Sequence, residues 1–233
     1  MKLNGVFGKG TGKVGNSVWA VSGGVQIVRP YNPNVSNPNT DAQVAQRAKF
    51  KLMSQIAADL ARYIAIPKKG LSSARNQFVS KNIYLCSWDS GAASCELPGL
   101  QLTAGASSIP QLDVTAANGH VQVKLALGAP NDVKTMVYVL CKVDNTNQLS
   151  VVASSTVQRE GGNATFDKTF DISNGDYVVY GYGLKDTAFA QGVNYENYYI
   201  ESGEEIANLA TYNRTANGSA DFTATVGASF SLE

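Results

Sequence analysis

The second half of the sequence alternates apolar and polar residues with a period of two. Val121, Val123 and Leu125 are separated by polar residues, and the ranges 166–172 and 222–232 repeat the alternation. Further strand candidates are 109–115, 135–143, 149–157, 176–184 and 193–200. Alternation puts successive side chains on opposite faces of a strand, and short strands at roughly ten-residue spacing are typical of a two-sheet sandwich. The sequence therefore predicts an immunoglobulin-like or fibronectin-like antiparallel β-sandwich.

The first part of the chain predicts a hairpin followed by an extended segment. Two β-rich runs within residues 3–29 flank Gly23-Gly24, as in a β-hairpin. Three prolines then favour an extended arm over 30–39.

Two helices are expected after this arm. Thr40 and Gln43 form a capping box, and apolar residues recur every four positions from Val44 to Ile64, which predicts one helix that ends at Pro67. A second, shorter helix is expected around Ala74 to Phe78, capped by Ser72 or Ser73.

The predicted fold class is mainly β with a small α part. Residues 1–100 would form a basic N-terminal region with a hairpin arm and one or two helices, 101–202 the sandwich, and 203–233 a polar linker and a C-terminal strand. That strand would pair with the N-terminal hairpin, because a long unpaired strand is an aggregation hazard, or it would offer its edge to another chain.

Charge is divided unevenly along the chain. Residues 1–81 hold twelve Lys and Arg against two acids, and residues 82–233 hold seven against sixteen, so that balances of +10 and −9 cancel in a net charge of +1. This polarity predicts that the basic region meets an acidic protein surface, such as that of a neighbouring copy, or, as the second explanation, nucleic acid.

The candidate contact residues are the cations and aromatic residues of the basic region. They are Lys9, Lys13, Trp19, Arg29, Tyr31, Arg47 and Lys51. The cations could also contact phosphates while the aromatic side chains stack on bases, although no recognised nucleic-acid-reading motif accompanies them.

The sequence contains partial matches to catalytic and cofactor-binding motifs, but the residues that these motifs require around them are missing. The segment from Gly10 to Gly15 matches GxGxxG, but only nine residues precede it, a β-like run follows where a helix is required, and no acid lies about 20 residues on, so it does not predict a dinucleotide site. A single histidine, His120, and three scattered cysteines provide neither a zinc site nor a triad. We therefore predict no catalytic, cofactor or metal residues and no enzymatic activity.

The cysteines and the N-terminal residues indicate the cellular compartment in which the protein is made. Cys86, Cys95 and Cys141 are an odd set without CxxC spacing, and we expect them to be reduced and to act as small hydrophobic residues. The first 25 residues contain lysines and no apolar signal core, and no segment is long enough to span a membrane, so synthesis and folding in a bacterial cytoplasm are expected.

Several motifs in residues 5–82 carry a resemblance. They are Gly12-Lys13-Val14-Gly15, Val28-Arg29-Pro30, the pattern of Pro38, Thr40, Gln43, Gln46, Arg47 and Phe50, and Asn76-Gln77-Phe78-Val79 with Asn82. This region resembles an uncharacterised family common in Bacteroidetes and their phages, including the crAss-like group. The family has no assigned reaction, and the resemblance implies a component of a phage particle.

The combined expectation is a virion structural protein, a multi-copy component of a neck or tail ring. It would form homo-oligomers, contact other virion proteins through its basic region and have no membrane partner. One alternative is a carbohydrate- or receptor-binding module that uses the tyrosines of the second half, and the other is a packaged DNA-binding protein. The tyrosines concerned are Tyr177, Tyr180, Tyr182, Tyr195, Tyr198 and Tyr199.

Overall fold

The chain folds mainly into antiparallel β-sheets with two α-helices, as predicted. The computed structural model describes residues 2–3, 10–22, 24–34, 39–66, 72–105, 107–125, 130–159, 166–185 and 222–232. The elements are β1 (Lys2–Leu3), β2 (Gly10–Val14), β3 (Ser17–Ser22), β4 (Val25–Pro30), α1 (Asp41–Asp59), α2 (Ala74–Asn82), β5 (Cys86–Asp89), β6 (Ala92–Cys95), β7 (Leu112–Ala117), β8 (His120–Leu125), β9 (Val133–Val143), β10 (Leu149–Gln158), β11 (Lys168–Asp171), β12 (Gly175–Lys185) and β13 (Val226–Leu232).

The predicted sandwich consists of a four-stranded and a three-stranded sheet. The strand orders are β10-β9-β12-β13 and β11-β8-β7. Val121 and Val123 of β8 point inward and are fully buried with Tyr138 and Val179 of the facing sheet, while Gln122 between them is exposed. The period of two in the sequence thus marks the face that is buried between the sheets.

The outer face of the four-stranded sheet is covered by a second hydrophobic core. Ile56 and Leu60 lie in one buried cluster with Val139 and Tyr180, so β9 and β12 are covered on both faces. This cluster joins residues from both sides of position 100. The helices are therefore packed on the sandwich as a third layer.

Both helices begin at the predicted caps, but the first one ends early. The Thr40 hydroxyl accepts a hydrogen bond from the backbone N–H of Gln43 at 3.4 Å, and Ser73 caps α2. The predicted end at Pro67 is wrong: α1 ends at Asp59. The N–H of Ala65 donates to the carbonyl of Leu102 at 2.8 Å, so a tertiary contact uses backbone that a longer helix would require.

The predicted pairing of the C-terminal strand with the N-terminal hairpin is also wrong. β13 pairs antiparallel with β12, from Gly175 opposite Leu232 to Gly181 opposite Val226. The ring of Phe230 stacks on that of Tyr177 with centroids 5.6 Å apart. β12 is a long strand with mostly buried side chains, and its free edge provides backbone partners along the whole of β13. This explains why β13 pairs with β12. The candidate strand 193–200 and the linker lie outside the described residues.

The predicted N-terminal hairpin is β3–β4, and it belongs to a larger sheet. Its order is β1-β2-β3-β4, and Ser22 and Val25 flank the turn of the hairpin. Within the described residues, these strands pack on one another and make no extensive contact with the helices or the sandwich. We call these four strands the N-terminal sheet.

Candidate assembly surface

Strand register places two of the predicted contact cations on one face of the N-terminal sheet. Lys13 lies opposite Val18, and Val18 lies opposite Arg29. Directly opposed residues share a face, so Lys13 and Arg29 flank Val18 on the same side. The Lys13 ammonium lies 3.6 Å from the centroid of the Tyr31 ring, a cation–π contact that joins β2 to the end of β4. We call this side the basic face.

The predicted residue Trp19 lies on the opposite face. It pairs with Gly12 on one side and with Val28 on the other, one register step from the basic rung. Val14 lies two residues from Gly12, and Val21 lies two residues from Trp19. Both valines therefore share the face of Trp19, because side chains alternate along a strand. Trp19 is half-buried, whereas Val14, Val21 and Val28 are 40%, 39% and 52% exposed. We call this side the apolar face.

β4 is an edge of the N-terminal sheet and is itself apolar. Ser22 and Val25 flank a two-residue turn and form a hydrogen-bonded pair. Alternation then directs the N–H and C=O groups of Ile27 and Arg29 toward β3 and those of Val28 away from the sheet. Ile27 is 42% exposed on the basic face. An edge with exposed valine and isoleucine can accept a strand of another chain.

The other predicted contact residues lie on α1 or outside the description. Arg47 donates to Oδ1 of Asn39 at 2.7 Å, so it helps to hold the segment that precedes the helix. Lys51 is exposed one turn further on, and Lys9 lies outside the described residues. Phe50 on the same half of α1 is 55% exposed.

Exposed large hydrophobic side chains are concentrated in this part of the molecule. Within the described residues ten such side chains are exposed, and only Tyr84 and Val152 lie outside the range 14–50. The others are Val14, Val21, Val25, Ile27, Val28, Tyr31, Val44 and Phe50. Such a concentration marks an interaction surface more strongly than scattered apolar residues do.

Sequence reasoning missed Gln26, which holds the sheet together. Its Oε1 accepts from the N–H of Gly10 at 2.8 Å, and its Nε2 donates to the carbonyls of Gly10 and Ala20, both at 3.0 Å. The one available signal was a lone polar residue inside the apolar run from Val25 to Val28. This side chain ties β2 to the β3–β4 hairpin.

Two other cations of the basic region donate hydrogen bonds to backbone carbonyls of neighbouring segments. Arg75 donates to the carbonyl of Ser54 at 2.6 Å, and Lys81 donates to the carbonyl of Thr103 at 2.8 Å. Partial burial lowers the pKa of Lys81 below its ordinary value. These contacts hold α2 against its neighbours.

The suspected sugar-binding tyrosines are core residues where the structure describes them. Tyr177, Tyr180 and Tyr182 are at most 2% exposed. The hydroxyls of Tyr180 and Tyr182 donate to the carbonyls of Leu97 at 2.9 Å and Tyr63 at 3.1 Å. These three tyrosines are packing residues, and their burial does not support the alternative that they contact a sugar directly, because both faces of β12 are covered. Tyr195, Tyr198 and Tyr199 lie outside the described residues.

An open groove of about 430 Å³ lies beside these tyrosines. Its lining includes Glu96 and Asp176, which are exposed, together with Cys95, Leu97 and the half-exposed Phe230. A groove lined by an aromatic ring and two carboxylates is a surface to which a polar ligand can bind.

The described residues also contain one histidine paired with a carboxylate. His120 Nδ1 lies 2.7 Å from the Asp171 carboxylate in an exposed cross-strand pair. No group of three or more His, Cys, Asp or Glu side chains that could hold a metal occurs in the part of the chain that the structure describes. Neither described helix is long and apolar enough to cross a membrane.

Comparison with known proteins identifies a sequence family but no function. Residues 8–180 match the profile of a family of unknown function, DUF6266. No curated protein matches the chain. The match covers β2 to β4 of the N-terminal sheet, both helices and most of the sandwich.

Proposed function

The chain belongs to the DUF6266 family of unknown function, and from its geometry we propose that it is a structural subunit that functions in many copies. The N-terminal sheet would make the contacts between copies, and the sandwich with its helices would be the rigid body. The observation that carries this proposal is the concentration of exposed apolar side chains on a sheet that makes no extensive contact with the described body.

A second copy of the chain is the partner that the charges favour. The region that contains the sheet and helices carries a balance of +10, and the remainder carries −9. Contact between unlike surfaces of identical subunits is heterologous, and it closes into a ring when the rotation between subunits permits. The apolar face would supply most of the binding energy, and the basic face would orient the approach.

The assembly that we propose is a neck or tail ring of a bacteriophage virion. The resemblance of the N-terminal motifs to proteins of Bacteroidetes phages supports this assignment, and so does the combination of an arm with a β-sandwich body. The protein should then be found among the peptides of purified particles, together with its neighbouring virion proteins.

Sedimentation velocity of the full chain tests the contact. Val28→Asp places a charge on the apolar face and edge of the N-terminal sheet, and we expect it to shift the wild-type oligomer to monomer. Val152→Asp is the matched control, because Val152 is a 49% exposed valine on β10, an edge strand of the sandwich. A wild-type protein that is monomeric at every salt concentration, also when mixed with its virion partners, would refute the proposal, as would equal effects of the two variants.

Carbohydrate or receptor binding is retained as a second candidate because of the groove beside Phe230. Phe230→Ala should abolish any signal on a glycan array if the groove is the site. DNA binding predicts an affinity in a filter-binding assay that falls steeply with salt. A flat salt response would exclude DNA binding.

A further inference from the structure

Cys86 and Cys95 lie directly opposite each other across the β5–β6 hairpin. The hairpin turns through Ser90 and Gly91, which both have positive φ, at 49° and 89°. Two such residues between paired strands form the tight turn that sets the register of a hairpin. The turn therefore determines which residue Cys86 faces.

The two cysteines occupy a non-hydrogen-bonded position of the ladder. The residues that flank a two-residue turn form a hydrogen-bonded pair, and alternation along the hairpin makes Cys86 and Cys95 a non-hydrogen-bonded pair. The N–H of Glu96 donates to the carbonyl of Leu85 at 3.1 Å, which is the bond expected one step further on. Cα atoms at such positions lie about 4.5 Å apart, within the range of about 4.4–6.8 Å that a disulfide spans.

The surroundings distinguish the two sulfur atoms. A hydrogen bond from Cys95, together with the nearby Lys49 ammonium, lowers the pKa of the Cys86 thiol although burial opposes this. The same hydrogen bond and burial raise the pKa of Cys95. Cys95 also lines the open groove, so the groove reaches the hairpin at the partner of Cys86.

Cys141 has no comparable setting. It is fully buried in the central sheet, and burial, followed by the charge of Asp59, raises its pKa to about 12. A thiol in this state is protonated and inaccessible at neutral pH. It therefore serves as an internal control for chemistry at the hairpin.

We propose that Cys86 and Cys95 form an oxidation site that a small peroxide converts into an intrachain disulfide. The Cys86 thiolate attacks one oxygen of hydrogen peroxide, the O–O bond breaks, and hydroxide leaves as Cys86 becomes a sulfenic acid. Cys95 sulfur then attacks Cys86 sulfur, the S–S bond forms, and the sulfenic oxygen leaves as water. In total two thiols and one peroxide give one disulfide and two waters.

This oxidation would cross-link β5 to β6. Both strands of the hairpin contact α1, which carries part of the second hydrophobic core. Because a closed loop of roughly ten residues restricts the unfolded chain, we expect the oxidised protein to melt about 5–10 °C higher.

Mass spectrometry of the reduced, folded full chain after treatment with hydrogen peroxide is the test. The expected product has lost two hydrogen atoms, and a non-reducing peptide map links Cys86 to Cys95. An unchanged mass, the addition of oxygen without a link, or a link to Cys141 would overturn the proposal.

Variants separate the roles of the three cysteines. Cys95→Ser should leave Cys86 as a sulfenic acid that dimedone captures, whereas Cys141→Ser should form the same disulfide as the wild type. Failure of Cys141→Ser to form the disulfide would count against the proposed pair. Because the wild-type peptide map requires no substitution, a variant that fails to fold does not prevent the test.

Discussion

The side chain of Asn82 forms two hydrogen bonds with the backbone of Gln101. Its Oδ1 accepts from the N–H of Gln101 at 2.7 Å, and its Nδ2 donates to the carbonyl of the same residue at 3.0 Å. Asn82 is fully buried at the end of α2. The Asn82 amide therefore pairs with the backbone of Gln101 as a neighbouring strand would. It joins the helix layer to the segment that leads into the sandwich.

Replacement of Asn82 by alanine should destabilise the protein by about 2–4 kcal/mol, because two backbone groups of Gln101 lose their partners in a partly buried position and the fully buried Asn82 site loses its side chain. Chemical denaturation measures the change. Asn76→Ala is the matched control, because Asn76 is exposed on the same helix, and it should change stability by less than about 0.5 kcal/mol. Equal effects of the two substitutions would contradict this role for Asn82.

The C-terminal strand also depends on a close backbone approach. A Cβ atom on Gly227 would lie 2.4 Å from the carbonyl oxygen of Pro98. We expect Gly227→Ala to cost about 1–3 kcal/mol, because β13 must shift along β12 or away from it. Ser229→Ala, at an exposed position of the same strand, should be nearly neutral. Similar denaturation midpoints for both variants would argue against this placement of β13.

The buried tyrosines allow a test of their structural role. The Tyr180 hydroxyl donates to the Leu97 carbonyl, and burial raises the pKa of Tyr180 well above its ordinary value. Tyr180→Phe should lower the free energy of unfolding by about 1 kcal/mol, the usual net value of one hydrogen bond. Tyr84→Phe is the control, since Tyr84 is 72% exposed. Loss of glycan binding in Tyr180→Phe without loss of stability would support the carbohydrate alternative instead.

The sandwich could be predicted from sequence because burial on alternate sides is local information. In β8, Val121 and Val123 are buried and Gln122 is exposed, as the pattern indicates. The cap at Thr40 is equally local, since donor and acceptor are three residues apart. Such features require no knowledge of distant contacts.

The errors concern contacts between residues that are far apart in the chain. Beyond the end of α1 the N–H of Ala65 bonds to the carbonyl of Leu102, and the sequence around Ala65 does not indicate this distant contact. The pairing of β13 with β12 depends on the position of β12 in the folded sheet, which the local sequence of β13 does not reveal. The β5–β6 hairpin, and with it the facing pair Cys86 and Cys95, was not predicted, because its strands are only four residues long.

The sequence identified the candidate assembly residues but did not predict which of them share a face of the sheet. Lys13 and Arg29 were identified as cations, but their common face follows from the register of three strands, of which only β3 and β4 were predicted. Trp19 lies on the other face for the same reason. Composition indicated the region, and strand pairing was needed to order it into a basic and an apolar face.

The last prediction concerns Asp59, whose carboxylate lies at the unfavourable end of α1. Partial burial and the nearby Asp144 raise its pKa above the ordinary value of 3.8. A raised pKa in the folded state means that ionisation of Asp59 destabilises the fold, and this penalty develops as the pH rises above 3.8. Asp59 is also the last residue of the helix, where the dipole disfavours negative charge.

Asp59→Asn should therefore stabilise the protein at neutral pH by about 0.3–1 kcal/mol, the usual range for a charge at an exposed helix end. Denaturation across a pH series should show this gain vanishing below about pH 3.8, where the wild-type carboxyl is protonated in both states. Asp144→Asn should have the opposite sign. Hydrogen bonds from Thr146 and Gln148 lower the pKa of Asp144 in the folded protein. The ionised carboxylate therefore stabilises the fold at pH values above its ordinary pKa of 3.8, and this stabilisation is lost as the pH falls through the lowered pKa. A gain for Asp59→Asn that is independent of pH would show that the effect does not come from charge.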